Sequence, residues 1–132
     1  MSEWTKRMAS PEDLARWMAR KDYGICIQTR TVRALDIDVP DATKAGIIGM
    51  VIEEHLGPLP TRYRENSWKF LVAFRIAGDM PKRVIKVTDK IIAEDGTTTP
   101  AQLIEFLATG QQFVAAGTHS SGARIEWKWN GH

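Results

Sequence analysis

The chain has 132 residues, 43% hydrophobic and 26% charged, which suits one domain over 1–132 and leaves little room for a second. Its 18 basic and 16 acidic residues leave a formal net charge of +2, too small to argue nucleic-acid binding in bulk, so the distribution of charge must carry any such case. A single cysteine, Cys26, excludes an intrachain disulfide and a Cys-rich zinc site, and no apolar run approaches membrane-spanning length, so a soluble cytoplasmic protein without a signal peptide is expected.

In chain order, Ser10-Pro11-Glu12-Asp13 is a helix start. Ser10 can accept from free N–H groups of the first turn, Pro11 suits the first helical position, and the two acids favour the positive end of the helix dipole. Leu14, Trp17 and Met18 then form one apolar stripe, and the helix should end near Lys21. Tyr23 to Thr29 and Val32 to Val39 read as strands joined by a short turn, an expected antiparallel hairpin. Cys26, between two isoleucines, reads as a buried thiol.

Asp41 should cap a second helix running to Gly57, with Ile47, Ile48, Val51 and Ile52 as its buried face. Leu59 to Ser67 lacks apolar periodicity and reads as a loop. Strands are expected at Trp68 to Ile76, Arg83 to Val87, Lys90 to Ala93, Gln102 to Leu107, Gln111 to Ala116 and Arg124 to Trp129. Asp95-Gly96 marks a turn, and Gly117 to Gly122 a polar loop. Few helices and many strands imply an α+β fold, an antiparallel or mixed sheet with helices packed on one face.

Four segments could do chemistry. In Ala34-Leu35-Asp36-Ile37-Asp38-Val39, strand alternation puts both aspartates on one face, roughly 6.6 Å apart at about 3.3 Å per residue. Aspartate is a poor strand former, and two of them opposite an apolar face are either a solvated edge pair or chelators of a hard divalent cation. Glu105 sits mid-strand in Leu103-Ile104-Glu105-Phe106-Leu107, where it needs water or a cation partner. Between Ser67 and Arg75, alternation puts Lys69, Leu71, Ala73 and Arg75 on one face, with two cations that suit an anion or simply reach solvent. Arg62 and Arg64 lie upstream in a polar stretch. Gly117-Thr118-His119-Ser120-Ser121-Gly122 offers hydrogen bonds and close backbone approach to a ligand, or is an ordinary hairpin loop. Trp127 and Trp129 fit sheet packing better than base stacking.

Taken in order, the acid pair, the Ser67-Trp68-Lys69 segment with its apolar strand, Glu105 and the Gly-Thr-His loop closing on Glu126-Trp127 resemble the archaeo-eukaryotic primase superfamily. The chain is most similar to the bifunctional primase–polymerase domains of plasmid and phage replication proteins. Lys69 stands where that family usually has histidine, and the approach to the first helix lacks the family's usual extra basic strand, as in a minimal or truncated form. The resemblance spans about residues 10 to 129. It implies an RRM-like core, a template-directed DNA primase or polymerase, and two Mg²⁺ or Mn²⁺ ions on Asp36, Asp38 and Glu105. Lys69, Arg75 and His119, with Arg62 and Arg64 behind them, would contact nucleotide. It also implies a single-stranded DNA template or primer and dNTP or NTP as partners, with room for a helicase or another replication protein. Three rival readings stand beside it: an inactive nucleotide- or single-strand-binding module, a nuclease or other phosphotransferase using the same acids, and an interaction protein with no nucleotide role.

Overall fold

The computed structural model describes residues 7–20 and 23–129. Two helices and ten strands follow one another as α1 (Pro11–Met18), β1 (Ile25–Gln28), β2 (Val32–Asp38), α2 (Ala42–Leu56), β3 (Thr61–Arg64), β4 (Phe70–Arg75), β5 (Arg83–Thr88), β6 (Ile91–Ile92), β7 (Thr98–Thr99), β8 (Gln102–Leu107), β9 (Gln112–Ala116) and β10 (Ile125–Lys128). The fold is α+β, and every strand pair in it is antiparallel. Six strands form the main sheet in the order β10-β3-β4-β2-β8-β5; β1 pairs with β9 and β6 with β7 in two small sheets.

The expected helix caps are present. Ser10 and Asp13 form a capping box at the start of α1, and Asp13 also binds Arg7 at 2.8 Å and Arg16 at 2.5 Å. Asp41 accepts from the Lys44 N–H at 2.8 Å to open α2, and Gly57 closes it at φ 76°, where a β-carbon would strain the backbone. Helix α1 is shorter than the sequence suggests. It ends at Met18 with Ala19 as cap, and Lys21 lies outside the described residues.

The central strands β2 and β4 are buried on both faces, and the pleat sorts their side chains into two cores. Ile37, Val39, Phe70 and Val72 pack with Ala45, Ile48 and Ile52 of α2 on one face. Ala34, Leu71, Ala73 and Leu107 pack on the other against Phe113 and Ala115 of β9, with Ile27 of β1 beside them. The β1–β9 ribbon therefore covers part of the face that α2 does not.

Several sequence expectations change here. β1 and β2 are not a hairpin: β1 pairs with β9, whereas β2 lies between β4 and β8. A short link does not oblige two strands to pair when each finds an apolar partner elsewhere. β9, which follows β8 in the chain, lies outside the main sheet and pairs with β1. Part of the expected Leu59–Ser67 loop is β3, whose alternation is hidden because Tyr63 is its lone aromatic: Tyr63 packs in the α2 core while Arg62 faces the opposite side. Within α2, Ile48 and Ile52 pack inward, but Ile47 is 56% and Val51 49% exposed. A helix on a sheet buries a narrow stripe, here completed by the small Ala45. Cys26 is exposed, because β1 is paired on one side only. Among the described residues, α2 is the helix that contributes to the core clusters; Leu14 and Met18 of α1 stay exposed. Among the described residues no helix is long and apolar enough to cross a membrane.

Candidate active site

The part of the sheet face left uncovered by β1–β9 holds the acids. Asp36 in β2 lies directly opposite Glu105 in β8, an antiparallel pairing that sets their Cα atoms about 4.5–5.5 Å apart. Asp38 is two residues along β2 on the same face. The register carries this row across all six strands: Trp127, Arg62, Leu71, Asp36, Glu105 and Val84 are successive neighbours. One face thus brings three carboxylates from two adjacent strands together, with an arginine two strands away.

Basic groups ring them. Lys69 precedes β4 at the position facing Asp38, and its Nζ lies 2.6 Å from Asp38 Oδ1. Arg62 donates to the Val114 carbonyl, which ties it to β9. Arg64 Nη1 lies 2.8 Å from His119 Nε2, and Ser121 Oγ lies 2.8 Å from the other ring nitrogen. The Ser67 hydroxyl accepts from the Lys69 N–H at 3.3 Å, fixing the entry to β4. The loop of residues 117–122 is thus held against the edge of the site through His119. Its origin is fixed at Gly117, φ 121°, where an added β-carbon would come within 2.9 Å of Gly24 Cα. That glycine serves backbone-to-backbone approach between the ends of β1 and β9, a use that composition alone does not distinguish from approach to a ligand.

Burial pushes the Asp36 carboxyl above its ordinary range; the Arg62 charge opposes this, and Asp38 and Glu105 reinforce it. Burial also pulls the Arg62 guanidinium below its ordinary range, opposed by Asp36 and reinforced by Arg64. A half-buried carboxylate beside two others has the oxygen chemistry of a hard divalent ion's ligands, so the donor set fits Mg²⁺ or Mn²⁺. The side-chain ends are nevertheless spread: among the described residues no three acidic, histidine or cysteine side chains form a ready-made metal cage. Asp38 is drawn to Lys69, and Glu105 towards Lys82 at 3.6 Å.

Of the residues singled out from sequence, Asp36, Asp38, Glu105, Lys69, Arg62, Arg64 and His119 share this region. Arg75 does not join them. It stands four residues beyond Leu71 on β4, roughly 13 Å along the strand, with the covered Ala34–Ala73 pair in between. Lys82 escaped the sequence reading. The signal was its parity with Val84, which the register puts on the acid face. Trp127 bears out the packing expectation: its ring lies 6.3 Å from Phe113, and its Nε1 donates to the Ala115 carbonyl at 2.6 Å. With Arg62 it pins β9 to the main sheet.

Acids in a row on an antiparallel sheet, rimmed by arginine, lysine and histidine, suit a protein that handles phosphates. The family model for bifunctional DNA primase/polymerase, N-terminal (Prim-Pol), matches residues 1–130. The chain belongs to this family. No curated protein and no solved structure matches it.

Proposed function

We propose that the chain is a metal-dependent nucleotidyltransferase, a DNA primase/polymerase that adds nucleotides to a 3′-hydroxyl on a single-stranded template, built on an RRM-like primase–polymerase core. The observation that carries this reading is the β2–β8 register, which opposes Glu105 to Asp36 with Asp38 on the same face. Asp36, Asp38 and Glu105 would hold Mg²⁺ or Mn²⁺. Bound there, a pair of such ions stabilises the developing charge on the attacking and leaving oxygens of an in-line displacement.

The chain's own residues position the substrates. Lys69 on one side and Arg64 with His119 on the other hold the triphosphate, and Arg62, fixed to β9, adds a charge that does not move. The 3′-hydroxyl gives its proton to solvent as its oxygen forms a bond to the α-phosphorus, while the bond from that phosphorus to pyrophosphate breaks. Lys69 supplies charge where the family's usual histidine would supply an imidazole; lysine's three donors rotate freely, so it serves a phosphate whose position is fixed by other contacts. The single strand lies over the open face and the 117–122 loop, held mainly through phosphates and hence weakened by salt.

Labelled primer–template, nucleotides and Mg²⁺ or Mn²⁺ test the reading. Elongation is expected, falling by about 10²-fold or more in Asp36→Ala/Asp38→Ala, a loss typical of removing a main source of transition-state stabilisation. Elongation that survives the double substitution removes the site. Nucleotide-dependent binding with no elongation by the wild type would favour an inactive binding module, and shortening of the labelled strand would favour a nuclease.

A further inference from the structure

We propose that Lys69 and Lys82 are resident counter-ions of the acid cluster that exchange carboxylate for triphosphate when a divalent ion and a nucleotide enter together, which adds Lys82 to the nucleotide-binding residues. This rests on the function proposed above. The two pairs flank the acid row from opposite sides. Lys69 approaches Asp38 from β4 at 2.6 Å, and Lys82, from the segment entering β5, lies 3.6 Å from Glu105 Oε2. In the sheet order β4-β2-β8-β5, the acids lie between the two lysines.

Both pairs are half-exposed: 40% for Lys69 and 48% for Asp38, 48% for Lys82 and 28% for Glu105. Such pairs are weak in a high dielectric, and a lysine ammonium on a four-carbon stem is easily redirected. Each engages one carboxylate of the cluster. A divalent ion that gathers the three acids competes with both lysines for these carboxylates, and displacing them leaves two unpaired cations beside the site. A triphosphate on the same ion takes them up, one from each side. Arg62 cannot follow, because the Val114 carbonyl holds it. Metal and nucleotide then bind with positive coupling, and by linkage each raises the other's affinity equally.

The consequence is a change of sign. Lys69→Met and Lys82→Met should each tighten Mn²⁺ binding without nucleotide by about 2–5-fold, the worth of a half-exposed ion pair. The same variants should weaken binding of a non-hydrolysable dNTP analogue in the presence of Mn²⁺ by about 3–10-fold, the worth of a charge-assisted contact. Free Mn²⁺ measured by electron paramagnetic resonance gives the first affinity, and calorimetry gives the second. Lys86→Met is the charge control: Lys86 also faces the acid side of β5 but pairs with Asp89 at 3.0 Å, so neither affinity should move. Lys69→Arg and Lys82→Arg should keep the nucleotide affinity in part. If the wild type binds Mn²⁺ and the lysine variants leave both affinities unchanged, or lower both, the exchange is wrong while the site stands. If the wild type binds no Mn²⁺, the site and the exchange fall together.

Discussion

The two faces of the main sheet are made by the same strands and do opposite things. On one, Ile37, Val39, Phe70 and Val72 form a dry core with α2. On the other, the β1–β9 ribbon covers Ala34, Leu71, Ala73 and Leu107 but leaves Asp36, Asp38 and Glu105 in the open half. Along β2 the two functions alternate residue by residue, because successive side chains point to opposite faces. A core side chain and a proposed metal ligand therefore sit one residue apart but separated by the thickness of a sheet.

Neighbouring substitutions in β2 give the sharpest comparison. Ile37 is fully buried, so Ile37→Ala should cost about 2–5 kcal/mol of folding free energy, read from denaturant unfolding. A cost well below this range would mean that the α2 face is not the main core. One residue earlier the sign reverses. Asp36 is half-buried beside two like charges, so Asp36→Asn should raise the melting temperature at neutral pH by about 4 °C, near what one kcal/mol does for a domain of this size. A fall instead would show that the Arg62 charge outweighs burial and repulsion there.

The smallest effect involves an acid on neither face. Hydrogen bonds from Arg7, with the Ser10 N–H and Arg16 beside them, hold the Asp13 carboxyl below its ordinary 3.8. Its folded value is depressed, so its stabilising contribution is complete above the unfolded value and is lost as pH falls through the folded one. Asp13→Asn should therefore lower stability at pH 7 and converge with wild type in strong acid, as thermal melts across pH would show. A gap that stays constant in acid would mean that geometry at the cap, not charge, is what Asp13 supplies.

Local chemistry was legible where it depends on a few adjacent residues. The Ser10 cap, the Asp41 cap, the Gly57 stop and the division of β4 between two faces all follow from side-chain type and period. So does the shared face of Asp36 and Asp38, since a strand permits nothing else. The path of β1 was not legible. Its choice of β9 over β2 depends on which apolar surfaces meet, and a sequence window contains only one of them. β3 was missed because four residues with a single aromatic give too little periodicity.

By itself, the sequence determined the parity of Asp36, Asp38 and Glu105 along their strands, because backbone period and propensity act over a few residues. Register between distant strands was decided by the tertiary structure alone: it set Glu105 opposite Asp36, brought Lys82 to Glu105 and His119 to Arg64, and left Arg75 outside. The physical reason is that pairing is selected by burying two cores at once. That condition links residues as far apart as 36 and 105, and no local pattern encodes it.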